Sequence, residues 1–189
     1  MTLAVTIPFA TPPEEDTGAV LFLEHFKESL NSLEVSHYVI EGEFPKGILN
    51  LSTKEAKTTE YSKDLSTLLP ASNLHIDIHS YNYETYPDWI DRDIVLGVLP
   101  TFTNTKLLAS LKRYLIDVSS IYIEDLILEF SYASVLSELI FDVKSIPLYL
   151  NENSVALYPV VAEKLAEFVD QIGPSDYSET SIEDNPMQH

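Results

Sequence analysis

The run Asp93-Ile-Val-Leu-Gly-Val-Leu99 constrains this chain more than any other feature. After Asp93 every side chain is apolar, and the run is too short for a buried helix. Such a segment reads as a strand covered on both faces, which calls for helices on each side of a sheet. The rest of the sequence supplies them. Apolar or alternating strand patterns fall at Leu3–Ile7, closed by Pro8, at Val35–Glu41, ending near Gly42, and at Leu74–Tyr81, Ser120–Leu126 and Ser145–Glu152. Between them lie helical patterns. The first is capped by Asp16 or Thr17 and carries Val20, Leu23, Phe26, Leu30 and Leu33. A polar helix spans Lys54–Leu69 and stops at Pro70. Thr103–Val118 places Leu107, Leu108, Leu111, Leu115 and Ile116 on one side. Tyr132–Val143 follows, and a last helix capped by Ser154 runs to Ile172 with Pro159 in its first turns. Strands spaced by helices of this length predict an α/β fold: three layers, a mainly parallel or mixed central sheet, and helices on both faces.

A chain of 189 residues fits one domain, and an apolar share of 45% supplies its core. Residues 1–172 are expected to form it. Gly173-Pro174 breaks the pattern, and residues 173–189 read as an acidic, disordered tail. No apolar run approaches the roughly 20 residues that cross a bilayer. The N-terminus has no positive region, so a classical secretory signal is not expected. With no cysteine, disulfide frameworks and thiolate chemistry drop out, and an intracellular, cytoplasmic setting is the expectation.

Against 30 acidic side chains stand 11 basic ones, a formal net charge of −19, and no Lys or Arg follows Lys164. Such a field repels nucleic acid and anionic membranes and favours cationic protein partners.

Ligands of open α/β sheets bind beyond the carboxyl ends of the strands, so polar residues there carry the chemical argument. In His75-Ile-Asp-Ile-His-Ser-Tyr81 the two-residue period puts His75, Asp77 and His79 on one face. At about 3.3 Å per residue His75 and His79 lie about 13 Å apart, so one ion cannot hold both, whereas Asp77 and His79 can converge. A buried polar strand face must be paired or metal-bound. His25 and Glu28 have the H-x-x-E spacing that puts two ligands on one helix face, although an exposed pair has the same spacing. Glu152, between an apolar strand and a helix, suits a general base or a first-turn acid. Tyr81, Tyr83, Tyr86 and Trp89 form an aromatic cluster able to line a substrate pocket or to cover the core edge. There is no G-x-G-x-x-G, phosphate loop or G-x-S-x-G elbow. Ser80 and His79 point to opposite faces and make no triad.

The run Ile76-Asp-Ile-His-Ser-Tyr81, with Tyr86-Pro87 after it, resembles the third zinc-ligand segment of zinc carboxypeptidase-like enzymes. The likeness is nearest to the N-formylglutamate amidohydrolase branch. Val5-Thr-Ile-Pro8, Val35-Ser-His-Tyr-Val-Ile40 and Ile146–Glu152 fall in the order of that branch's other strands. The resemblance implies His79 as a zinc ligand and Glu152 as the catalytic glutamate, although another register puts Tyr149 in that place. It also implies a His directly after the first strand's proline, where this chain has Phe9, and an acid at Glu14, Glu15 or Asp16. The substrate arginine expected near residues 50–53 is absent. The implied picture is the hydrolase fold with an eroded site, acting as an interaction or structural subunit without cofactor. An active zinc amidohydrolase with His79, His25 and Glu28 as ligands and Tyr81 and Tyr86 at the substrate is the alternative. A small-molecule binding module is the third reading.

Overall fold

A computed structural model of the chain describes residues 1–8, 16–42, 59–81, 84, 86–98, 104–125 and 132–172. The strands are β1 (Thr2–Ile7), β2 (Ser36–Glu41), β3 (Leu74–Tyr81), β4 (Ile94–Val98), β5 (Ile121–Asp125) and β6 (Lys144–Asn151). The helices are α1 (Thr17–Ser32), α2 (Glu60–Leu68), α3 (Thr105–Leu115), α4 (Tyr132–Ile140) and α5 (Tyr158–Gln171). The six strands form one sheet in the order β2-β1-β3-β6-β4-β5. All neighbours are parallel except β4 and β6. The sheet is therefore mixed, with helices on both faces, as the alternation of periods predicts.

Alternation along the strands sorts the two faces. Leu3, Val5 and Ile7 of β1, Leu74, Ile76 and Ile78 of β3, and Ile146, Leu148 and Leu150 of β6 join α1, α3 and α5 in the main core. Ala4 and Ile40 face the other way, toward Tyr61, Leu65 and Leu69 of the α2 segment and Ala133 of α4. The split follows from connection handedness. The chain moves outward from β1 to β2 through α1, then back past β1 to β3 through α2. Right-handed crossovers in opposite directions place their helices on opposite faces. All five residues of β4 are buried, which explains its unbroken apolar run.

Several boundaries shift for identifiable reasons. Asp16 caps α1, its Oδ1 accepting the Ala19 N–H at 3.0 Å. Thr59 caps α2, accepting the Ser62 N–H at 3.2 Å, and residues 54–58 of the predicted helix lie outside the described residues. Ser154 does not cap the last helix. Its hydroxyl donates to Asp93 Oδ1 at 2.6 Å, while Asn151 accepts the Asn153 N–H at 2.9 Å and starts a 3-10 segment over Glu152–Leu157. The α-helix begins only at Tyr158, where Pro159 falls in the first turn, the place a ring without an N–H is tolerated. The predicted tail at 173–189 lies outside the described residues, as do Phe9 and Tyr83.

Among the described residues no helix is long and apolar enough to cross a membrane.

Candidate functional site

The N-cap of α1 and the end of β3 meet where the two crossovers diverge, with the end of β6 beside β3. Sites form at such a position in this class of sheet. Two polar groups gather there, one on each face.

On the α1/α5 face the centre is Ser80. Its backbone N–H donates to Asp16 Oδ2 at 2.7 Å, and its hydroxyl donates to Asp16 Oδ1 in a short contact. Glu152 Oε1 lies 3.0 Å from the same hydroxyl. With the Ala19 N–H on Oδ1, both oxygens of Asp16 are engaged, and the carboxylate ties the start of α1 to the end of β3. Behind this clasp the Tyr158 hydroxyl donates to the Asn151 carbonyl at 3.1 Å. Burial pushes that phenol well above its ordinary pKa, and the nearby Asp16 and Glu152 push it further. The clasp needs a residue without a side chain at Gly18. A Cβ there would stand 2.6 Å from Ser80 Cβ, 2.7 Å from Ser80 Oγ and 3.1 Å from the Tyr158 hydroxyl. Gly18→Ala is therefore expected to destabilise the fold by about 1–3 kcal/mol, the usual cost of overpacking, measured by urea unfolding. An unchanged midpoint would show that α1 has room to shift.

On the opposite face a polar seam runs under α4. Thr6, His75, Asp77, Ser134 and Ser145 are all fully buried. The Thr6 hydroxyl donates to Asp77 Oδ1 at 2.5 Å and lies 2.8 Å from His75 Nε2. Having spent its one proton, it must accept from His75, so the Nε2–H tautomer is fixed. His75 Nδ1 is then an acceptor, 2.9 Å from the Ser145 hydroxyl, which is also placed to donate to Ser134 Oγ at 3.2 Å. Ser134 supplies Asp77 Oδ2 at 2.8 Å. Every proton in this relay points toward Asp77. Burial pushes the His75 pKa down to about 4 against the attraction of Asp77.

His79 lies at the end of the seam. Its Nε2 is 3.3 Å from Asp77 Oδ2 without the alignment of a hydrogen bond, and its ring stacks on Tyr149 at 4.8 Å. Burial pulls its pKa down, but the Asp77 carboxylate outweighs that, with Asp16 adding to it, and the net shift is upward. Asp77 and His79 thus do converge, on each other. The aromatic cluster continues from Tyr149 to Trp89, which stacks on Tyr86 at 4.5 Å and meets Tyr81 edge-on at 5.2 Å. Tyr81 is buried and its hydroxyl donates to the Arg92 carbonyl at 2.7 Å, while Tyr86 is partly exposed.

The residues singled out by sequence divide accordingly. His79 and Glu152 reach the same strand end, on the two faces of the sheet. His25 and Glu28 line a groove of about 350 Å³ against α5, with Ser29, Ser32, Glu163 and others. At about 1.5 Å per residue, His25 is about 13 Å along α1 from Asp16, too far to share an ion with the strand end. Sequence patterns left Thr6, Ser134 and Ser145 unmarked, although a hydroxyl inside the apolar run of β1 and two serines bracketing the β6 turn were their only trace.

The described residues do not fit a zinc ion. Both Asp16 oxygens are engaged, His79 turns one nitrogen toward Asp77, and no group of three His, Asp or Glu side chains able to hold a metal occurs among the described residues.

No protein-family model matches this chain, and no curated protein matches its sequence. Solved structures do share its fold. A gene product of Agrobacterium tumefaciens is 11% identical with a TM-score of 0.63, covering 88% of this chain and 86% of its own. N-formylglutamate amidohydrolase from Ralstonia eutropha JMP134 is 12% identical with a TM-score of 0.56, over 88% and 93% of the two chains. A metallo-carboxypeptidase from Burkholderia cenocepacia is 12% identical with a TM-score of 0.53, over 89% of this chain and 56% of that one. This chain has the fold of the N-formylglutamate amidohydrolases and metallo-carboxypeptidases, as the segment around His79 led one to expect.

Proposed function

We propose that this protein is a non-catalytic relative of the metal-dependent amidohydrolases, serving as an interaction or structural subunit. The observation that supports this is the Asp16 clasp. Asp16, one of the three acids the resemblance allows as a metal ligand (Glu14 and Glu15 lie outside the described residues), has both oxygens engaged by the backbone and hydroxyl groups of Ala19 and Ser80. A catalytic zinc needs three protein ligands and one open position, and a carboxylate with three of its four lone-pair sites already taken is a poor candidate for one of them. The strand end then works as a fastener between α1 and β3 rather than as a reaction centre. With a net charge of −19, the partner of such a subunit is a protein with a cationic surface, and its binding weakens as salt rises.

One observation favours the catalytic alternative: Glu152 Oε1 lies 3.0 Å from the Ser80 hydroxyl, at the strand end that also holds His79. In that reading Glu152 is the general base for cleavage of an amide next to a carboxylate. The two readings separate in one assay, hydrolysis of N-acyl glutamates by the full chain supplied with zinc. The expected result is no turnover above zinc alone. Turnover that disappears in Glu152→Gln would establish the catalytic reading instead.

A further inference from the structure

Three helices finish at one end of the sheet without a cation in their last turns. β1, β2, β3 and β6 start together there, with Thr2 opposite Ser36, Leu3 opposite Leu74, and Leu74 opposite Lys144. α1, α2 and α4 each stop a few residues before one of these strands, so their carboxyl termini gather at that end. The carboxyl end of a helix carries about half a negative charge, which Lys or Arg in the last turn offsets. None of the three helices has one. Acids stand there instead. Glu34, shortly after α1, and Asp142, shortly after α4, have φ of 56° and 54°, the left-handed region that costs glycine least. Both are exposed, and neither makes an ion pair among the described residues. Lys144, partly buried at the start of β6, offsets part of this charge.

Apolar side chains lie at the same end. Leu139 and Ile140, in the last turn of α4, are 56% and 65% exposed, and Leu33, at the end of α1, is 38% exposed. α1 and α4 pack on opposite faces of the sheet, so these groups flank the strand starts from both sides. Glu34 and Asp142 precede β2 and β6, three places apart in the sheet, about 14 Å at about 4.8 Å per strand. A helix covers that span in about nine residues at about 1.5 Å each. We propose that this end of the sheet, opposite the Asp16–Ser80 clasp, docks a basic amphipathic helix of a partner protein. Its Lys and Arg side chains meet the carboxyl ends of α1 and α4 with Glu34 and Asp142, and its apolar face covers Leu139 and Ile140. The proposal gives a surface to the interaction-subunit reading and rests on it.

A synthetic amphipathic helix of leucine and lysine, about 18 residues long, serves as the probe. It is titrated into the full chain by calorimetry, and its contact is mapped by hydrogen exchange. Protection is expected in the last turns of α1 and α4 and at the start of β6, with affinity falling as salt rises. Leu139→Gln combined with Ile140→Gln should weaken binding about tenfold or more. Ile116, 58% exposed before β5, lies at the other end of the sheet, because β4 and β5 run against β6. Ile116→Gln should therefore leave binding unchanged. Glu34→Gly combined with Asp142→Gly should weaken binding about threefold or more without lowering the urea midpoint, because glycine suits both φ values. Failure of the non-catalytic reading shows separately, as zinc-dependent turnover at the strand end that holds Glu152. Protection spread over the whole acidic surface, or an affinity that neither double variant changes, would overturn the proposal. So would self-association of the free chain that is lost in the Leu139→Gln, Ile140→Gln variant, which would make a second copy the occupant.

Discussion

Asp77→Ala should lower folding stability by about 3–5 kcal/mol, making it one of the most damaging single changes available in this chain. The carboxylate is fully buried and is the acceptor for Thr6 and Ser134. Its charge also raises the His79 pKa against the effect of burial. Removing it leaves two buried hydroxyl donors without an acceptor and takes away the charge beside His79. Each loss carries the desolvation cost of the stranded group rather than the small net value of one hydrogen bond. Asp77→Asn keeps the shape but offers an amide where two donors already point, so it should recover only part of the loss. Urea unfolding of the three chains checks this, provided the slope of the transition is unchanged. A loss below about 1 kcal/mol for Asp77→Ala would mean that the seam is hydrated and the relay contributes little.

Acidification should weaken the fold through His75, and the sign follows from proton counting. In the native state its pKa is about 4, whereas in the unfolded chain it takes the ordinary histidine value. Between roughly pH 6.5 and 4 the unfolded state binds a proton that the native state does not, so stability falls as pH falls through that window. A gap of about 2.5 pKa units corresponds to about 3 kcal/mol. His79 contributes in the other direction. Its native pKa is raised, so its contribution is complete below the unfolded value and is lost as pH rises through the native one. The two histidines of one strand therefore bound the stable range from opposite sides. Because carboxylates elsewhere also steepen the acid limb, the comparison that isolates His75 is between the wild-type chain and His75→Gln. The substituted chain starts less stable but should lose less between pH 6.5 and 4. Parallel acid limbs would show that His75 is already protonated, or already hydrated, in the native state.

Sequence made the layers legible because burial imposes local periods. The continuous apolar run after Asp93, the alternation of Leu74–Tyr81 and the leucine spacing of the Thr105–Leu115 helix each report which faces are covered. The same alternation placed His75, Asp77 and His79 on one face. What these polar residues meet was not legible, because their partners sit far along the chain: Thr6 is 71 residues from Asp77, and Ser134 is 57. Strand order was equally hidden. Nothing local in β4 shows that it runs antiparallel to β6, because a strand buried on both faces looks the same in either direction. Ser154 had the right residue type and position for a helix cap. The structure uses it to reach Asp93 on another strand, a competition that only the folded neighbourhood decides.

The likeness around His79 pointed correctly to the fold and left the chemistry open, since a shared fold carries many activities. Here the side chains at the strand end bind one another. Asp16 holds Ser80, Asp77 holds His79, and Gly18 lets the two elements approach closely enough for the first of these contacts. Zinc content of the full chain after equilibrium dialysis against micromolar zinc tests that arrangement most directly. The account predicts far less than one ion per chain and a melting temperature that chelator does not move. One zinc per chain, lost in His79→Ala and in Asp16→Ala, would contradict it.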